Sequence, residues 1–154
     1  DKILENGDLL VLDFGCIYNG YCSDMTRTIV LGKANQKQKE IYEIVLNAQI
    51  SALANIRPDI LAKDIDKIAR DIITKNGYGE NFGHGTGHGV GLEIHEPPKI
   101  SPLGEVKLKK NMVFTIEPGI YIPGFGGIRI EDLVVVTDNG VNILSKSPKK
   151  FVEL

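Results

Sequence analysis

All three histidines of the 154-residue chain lie in one short run, Gly83-His84-Gly85-Thr86-Gly87-His88-Gly89-Val90-Gly91-Leu92-Glu93-Ile94-His95-Glu96-Pro97-Pro98. Imidazoles gathered like this can bind metal, carry protons or donate hydrogen bonds to a substrate. Glycine in a helix interior costs about 1 kcal/mol relative to alanine, and five alternating glycines make a helix untenable. His84 and His88, although four positions apart, are therefore not the paired ligands of a helical zinc motif. The run reads as extended or looped backbone that must pass close to something.

Those acids come in two sets. Asn19-Gly20 is the strongest short hairpin signal, and with it as the turn Tyr18 faces Tyr21 and Asp13 faces Thr26. Asp13 and Asp24 are then diagonal neighbours on one face. Asp13 interrupts an otherwise apolar strand, where a lone carboxylate is expensive to bury; the other reading is a strand-end aspartate capping a turn. A second hairpin, with its turn centred on Gly124, sets Glu117 opposite Glu131. Facing like charges destabilise a sheet, so both sets need positive charge. Arg129, on the face of Glu131, supplies one such charge, and divalent cations could supply the rest. The alternative for these glutamates is a solvent-facing strand, which their apolar neighbours disfavour. Four carboxylates with an imidazole suit manganese, cobalt, iron or zinc better than a thiolate-selected metal. Two metals about 3.5–4 Å apart are a standard device for hydrolysis.

The elements that must position these residues can be read from the spacing. Leu9 to Phe14 is an apolar strand, and Tyr21 to Leu31 returns beside it. From Asn35 to about Ile56 the pattern is helical, with Ile41, Ile44, Val45, Ala48, Ile50 and Leu53 as the inward stripe. Arg57-Pro58 breaks it. A second helix runs from about Ile60 to Lys75, with Ile65, Ile68, Ala69, Ile72 and Ile73 inward, and ends at Asn76-Gly77. After the glycine-histidine run comes a proline-punctuated loop through Pro102. Met112 to Ile122 and Ile128 to Thr137 are strands, and a short strand near Val141 to Leu144 follows Asp138-Asn139-Gly140. This order predicts one α+β domain with helices on one face of a curved antiparallel sheet.

Composition bounds the function classes. A net charge of −2 and a 25% charged fraction do not make the basic face of a nucleic-acid binder. The lysines at 107, 109 and 110 and at 146, 149 and 150 read as solvated surface. No run approaches the roughly 20 apolar residues of a membrane span, and no signal-peptide pattern stands ahead of Leu9. Cys16 and Cys22 are too few for a disulfide scaffold. The hairpin register puts them on opposite faces, so free thiols in a reducing, cytoplasmic compartment are expected. No G-x-G-x-x-G register fits residues 83 to 91 and no Gly-Lys-Ser/Thr follows, which disfavours a nucleotide site.

The residues match a known pattern. The chain resembles the pita-bread-fold metallopeptidases, which include methionine aminopeptidases and the Xaa-Pro peptidases, prolidase and aminopeptidase P. The resemblance covers essentially the whole chain and rests on five stretches: Leu12-Asp13-Phe14-Gly15, Ser23-Asp24-Met25-Thr26-Arg27-Thr28, His84 through Pro97, Thr115 through Gly119, and Gly127 through Asp132. It implies a dinuclear centre of divalent ions, manganese first, with cobalt, zinc or iron as alternatives. Asp13 would chelate one metal, Asp24 and Glu131 would bridge both, and His88 and Glu117 would hold the second. His88 is preferred over His84 because the family's ligand histidine precedes the second catalytic histidine by seven positions, as His88 precedes His95. His95 would contact substrate near the scissile carbonyl, and His84 would lie in the substrate pocket. Glu117 would also move a proton from the attacking water to the leaving amine. Arg129 would orient a carboxylate ligand.

His84 through Leu92 and Glu117-Pro118-Gly119-Ile120-Tyr121 resemble the Xaa-Pro branch, so the implied substrate is a peptide with proline in second position. Methionine aminopeptidases usually lack the histidine that His84 represents, but remain the alternative enzyme. A non-catalytic peptide-binding member of the fold is the alternative from another class, and it would be expected to have broken ligands. The resemblance further implies that residues 1–154 are the C-terminal part of a catalytic domain. Its first helices and strands, another substrate-contacting histidine and a separate N-terminal domain would then lie upstream of Asp1, in a homodimeric full-length parent.

Overall fold

The computed structural model describes residues 2–154. The first hairpin consists of four short strands, β1 (Leu9–Phe14), β2 (Ile17–Tyr18), β3 (Tyr21–Cys22) and β4 (Met25–Val30). Asn19 and Gly20 take φ of 50° and 84°, as a two-residue type I′ turn requires. Tyr18 pairs with Tyr21, and Asp13 with Thr26. The return arm is not the single strand expected over Tyr21–Leu31. Ser23 and Asp24 leave the ladder, where Ser23 Oγ accepts from the Cys16 backbone N–H at 3.1 Å. Cys16 and Cys22 are both free thiols.

Helix α1 (Gln36–Asn55) begins at a capping box in which Asn35 and Gln38 each satisfy the other's backbone N–H. It buries Ile41, Ile44, Val45, Ala48, Ala52 and Leu53, whereas Ile50, expected inward, is 48% exposed. Position 50 lies about two and a half turns from Ile41 and so on the opposite face; the buried place goes instead to Gln49. Helix α2 (Ala62–Lys75) buries Ile65, Ala69 and Ile73 and ends at Asn76, with Gly77 at φ 86°.

The remaining strands are β5 (Gly87–Gly89), β6 (Glu96–Ile100), β7 (Val113–Ile116), β8 (Gly119–Ile122), β9 (Gly126–Arg129), β10 (Asp132–Thr137), β11 (Gly140–Ile143) and β12 (Val152–Glu153). They form an antiparallel sheet in the order β11-β10-β7-β5-β6, while β8 pairs with β9, and β1, β4 and β12 make a third sheet. Both helices pack on these strands, α1 against β7, β8, β9 and β11, and α2 against β6. One apolar core joins them, so the α+β reading holds.

Three departures have physical causes. The stretch expected to be a proline-punctuated loop contains β6, at the sheet edge, the one place where Pro97 and Pro98 withhold no needed ladder donor. The strand expected over Met112–Ile122 breaks at Glu117-Pro118, since proline has no N–H to give, and the one over Ile128–Thr137 breaks at Ile130-Glu131. β12 joins β4 in parallel, a long-range pairing without a local sequence signal.

Candidate metal centre and its pocket

The acids meet where strands stop. Asp13 is next to last in β1, Asp24 immediately precedes β4, Glu117 immediately follows β7, and Glu131 immediately precedes β10. At such breaks side chains are released from strict alternation and can converge. His88 is the middle residue of β5. Ligand atoms of Asp24, His88 and Glu131 all lie within 4.8 Å of one another. His88 Nε2 is 3.2 Å from Glu117 Oε1 and 3.6 Å from Asp24 Oδ2. Asp13 reaches the rim, with its side chain 51% exposed and Oδ2 taking a 2.5 Å hydrogen bond from Arg129 Nη2.

The glycines beside His88 let neighbouring backbone come close. A Cβ on Gly87 would sit 1.9 Å from the Thr115 carbonyl oxygen, and one on Gly89 would sit 2.2 Å from that of Pro97. They let β5 fit between β7 and β6, and so hold His88 between two strands. Its Nδ1 lies 3.0 Å from the Gly89 carbonyl; with Nδ1 as the donor there, Nε2 is the nitrogen turned toward the acids, and it would offer its lone pair to a metal on losing its proton.

Two threonines complete the arrangement. Thr26 Oγ1 donates to Glu131 Oε2 at 2.6 Å and accepts from Arg129 Nε at 3.1 Å. Thr115 Oγ1 donates to Glu117 Oε1 at 3.1 Å and accepts from the His88 N–H. Thr26 was legible as the residue facing Asp13, but its bond to Glu131 spans 105 positions and has no local signal.

The electrostatics show what is lacking. Burial, then the Glu117 carboxylate and the charges of Asp24 and Asp13, push the Glu131 carboxyl up to about 8, against the bond from Thr26. Burial likewise raises Asp24, aided by Asp13 and Glu117. Glu117 goes the other way: burial pushes it up, but the hydrogen bond and charge of His88, with His84 and Thr115, hold it below the usual range. His88 is raised because its bonds and charge contacts with Glu117, Gly89 and Asp24 outweigh burial. Glu131 is 2% exposed, and among the described residues no lysine or arginine pairs with its carboxylate. A tight oxygen-rich group with one imidazole and a deficit of positive charge fits divalent cations.

A cavity of about 650 Å³ opens over the group, lined among others by His84, His88, His95, Lys99, Glu117 and Arg129. His95 is exposed, its ring centroid 4.1 Å from that of His88. His84 lines the cavity with both ring nitrogens engaged, Nδ1 at 2.7 Å from the Gly85 carbonyl and Nε2 at 3.0 Å from the Tyr121 hydroxyl. Arg129 Nη1 donates to that hydroxyl at 2.8 Å. Tyr121, part of a stretch that resembles the Xaa-Pro branch but given no role of its own there, thus ties His84 to the arginine that grips Asp13.

Residues 1–138 match the description of metallopeptidase family M24. The chain belongs to that family. It is 57% identical to the Xaa-Pro dipeptidase of Pyrococcus furiosus over 99% of its own length and 44% of the relative's. It superposes on the crystal structure of a dipeptidase from Pyrococcus horikoshii with a TM-score of 0.98 and 51% identity, covering 100% of this chain and 43% of that one. An X-Pro aminopeptidase from Thermotoga maritima is similar at a TM-score of 0.97 and 45% identity, again over 100% of this chain and 44% of that one. The fold of this M24 chain is therefore the pita-bread fold, of which it spans less than half the length of these relatives. No described helix is long and apolar enough to cross a membrane.

Proposed function

We propose that this M24 chain is the C-terminal part of the catalytic domain of a metal-dependent Xaa-Pro peptidase, cleaving the bond between an N-terminal residue and proline. The observation that carries this reading is the convergence of Asp24, His88 and Glu131 within 4.8 Å, with Asp13 and Glu117 beside them and, among the described residues, no lysine or arginine paired with the Glu131 carboxylate. Asp13, Asp24, His88, Glu117 and Glu131 would hold two divalent ions, manganese first. Bound there, the ions would supply a water acidic enough to attack at neutral pH and an electrophile for the scissile carbonyl.

The chain's own residues do the rest. Glu117 accepts the proton of the attacking water and returns it to the proline nitrogen as the C–N bond breaks. Proline's imide nitrogen carries no proton, so it must receive one to leave as an amine. His95, exposed over the cavity, is placed to donate to the carbonyl oxygen. His84, held by Tyr121, shapes the cavity wall beside the substrate. Arg129 fixes Asp13 and stiffens Glu131 through Thr26. Free Cys16 and Cys22 accord with a reducing, cytoplasmic setting, and the full-length protein is taken to be a homodimer.

The test is a substrate panel on the full-length protein, with and without added Mn²⁺. Xaa-Pro dipeptides, longer Xaa-Pro peptides and Met-Ala peptides separate dipeptidase, aminopeptidase and methionine-aminopeptidase activity. Metal-stimulated release of the residue before proline is expected. Equal rates after exhaustive chelation, or preference for Met-Ala, would overturn the reading.

A further inference from the structure

An ion pair on α2 reaches the site from behind without lining its cavity. Asp66, 1% exposed, accepts from Arg70 Nε at 2.8 Å and Nη2 at 3.0 Å. Its Oδ1 also accepts from Thr86, from the backbone N–H at 3.1 Å and from Oγ1 at 2.8 Å. Arg70 also donates to two carbonyls of the same segment, from Nη1 to Phe82 at 2.9 Å and from Nη2 to His84 at 2.7 Å, while its guanidinium lies 4.2 Å from the Phe82 ring centroid. Phe82 in turn meets the His84 ring edge-on at 5.0 Å.

The segment so gripped, residues 82–86, has no helix or strand ladder of its own, and two of the five are glycines, which carry the largest conformational entropy of any residue. The grip passes onward as well: the Thr86 carbonyl accepts from the Glu117 N–H at 2.7 Å. The pair therefore bears on three site residues at once. It holds His84 through its own carbonyl, Glu117 through Thr86, and His88 as the residue two past Thr86.

We propose that Asp66 and Arg70 are positioning residues of the active site, setting where His84 and Glu117 stand although neither touches substrate. The proposal rests on the functional reading above. Arginine is needed at 70 because its planar fork serves the carboxylate and both carbonyls together, which a lysine ammonium cannot reproduce. A displacement of about 1 Å in a catalytic group can cost on the order of a hundredfold in rate, so a pair remote from the chemistry can govern it.

The experiment uses the full-length, Mn²⁺-loaded protein with Arg70→Lys and Asp66→Asn. Thr86→Val, of similar shape, removes only the Oγ1 bond to Asp66 and serves if either charge variant fails to fold. The expected result, per folded and metal-loaded chain, is a kcat/KM for an Xaa-Pro dipeptide lower by about ten- to a hundredfold. KM should rise most in Arg70→Lys, through His84. The fall in kcat should be largest in Asp66→Asn, through Glu117. Hydrogen exchange should quicken at the Thr86 and Glu117 amides while α1 stays protected. Activity that merely tracks the folded fraction, with KM and exchange over residues 82–88 both unchanged, would overturn the proposal. Should the unsubstituted protein cleave no Xaa-Pro bond, the functional reading fails, and the exchange measurement alone decides whether the pair positions this segment.

Discussion

Glu131 and Asp132 are neighbours, both essentially buried at 2% and 0% exposure, yet their surroundings are opposite. Successive residues of extended backbone point to opposite sides. Asp132 turns toward α1, where Oδ1 takes Arg27 Nη2 at 2.7 Å and Oδ2 takes Lys149 Nζ at 2.7 Å and Gln49 Nε2 at 2.8 Å. Arg27 also donates to the Glu131, Ser147 and Pro148 carbonyls. Glu131 turns toward Asp24, Glu117 and His88 and receives one threonine hydroxyl. A structural carboxylate is neutralised by the chain itself. Glu131 has no such cationic partner among the described residues, and burial first, then the neighbouring carboxylates, push its carboxyl up to about 8.

The comparison can be broken most forcefully at Asp132. Asp132→Ala strands Arg27 and Lys149, and removal of one partner from a buried pair costs about 3–5 kcal/mol; chemical denaturation of the full-length protein should register a loss of that size. Glu131→Gln should do the reverse. The metal-free protein should be as stable as before or more so, while metal-stimulated turnover falls by more than about a hundredfold, beyond what outer-shell substitutions cost metal sites. If both substitutions destabilise the metal-free protein alike, the contrast between the neighbours is wrong.

Titration sharpens the same point. Glu131 has a folded-state pKa of about 8, above its usual 4.5, so the folded state keeps a proton that the unfolded chain releases. The metal-free protein should lose stability as pH rises from about 4.5 to about 8, by on the order of a few kcal/mol, with the penalty absent below that window and complete above it. Metal binding at pH 7 should release a proton, detectable by calorimetry in buffers of differing ionisation enthalpy. A flat stability profile across that window would contradict the assignment. The smallest effect is expected at Arg129→Lys, which keeps the charge but loses the fork joining Asp13, Thr26 and Tyr121. Metal affinity should fall by about tenfold, with little change in the melting temperature of the metal-free protein.

The split between legible and hidden features follows the range of each interaction. The Asn19-Gly20 turn, the pairing of Asp13 with Thr26, both helices and the α+β order were readable because each rests on residues near one another in the chain. The burial of Ile50 was misjudged because a broad apolar stripe was read without its exact helical phase. The break at Glu117 has its signal in Pro118, whereas the one at Ile130-Glu131 lies in a run of β-formers that conceals where a strand must stop. Those breaks are what let the acids converge.

The sequence by itself determined which residue types the site contains, on which hairpins they lie and in what register. These depend on turn chemistry and on side-chain periodicity, both local. Only the tertiary structure decided that Glu131 faces an acid cluster while Asp132 faces two cations, that Gly87 and Gly89 make room for neighbouring strands, and that α2 grips the segment carrying His84. Each of those outcomes depends on groups brought from far along the chain by the packing of one core, where burial turns an ordinary charge into either a neutralised pair or an open demand for a cation.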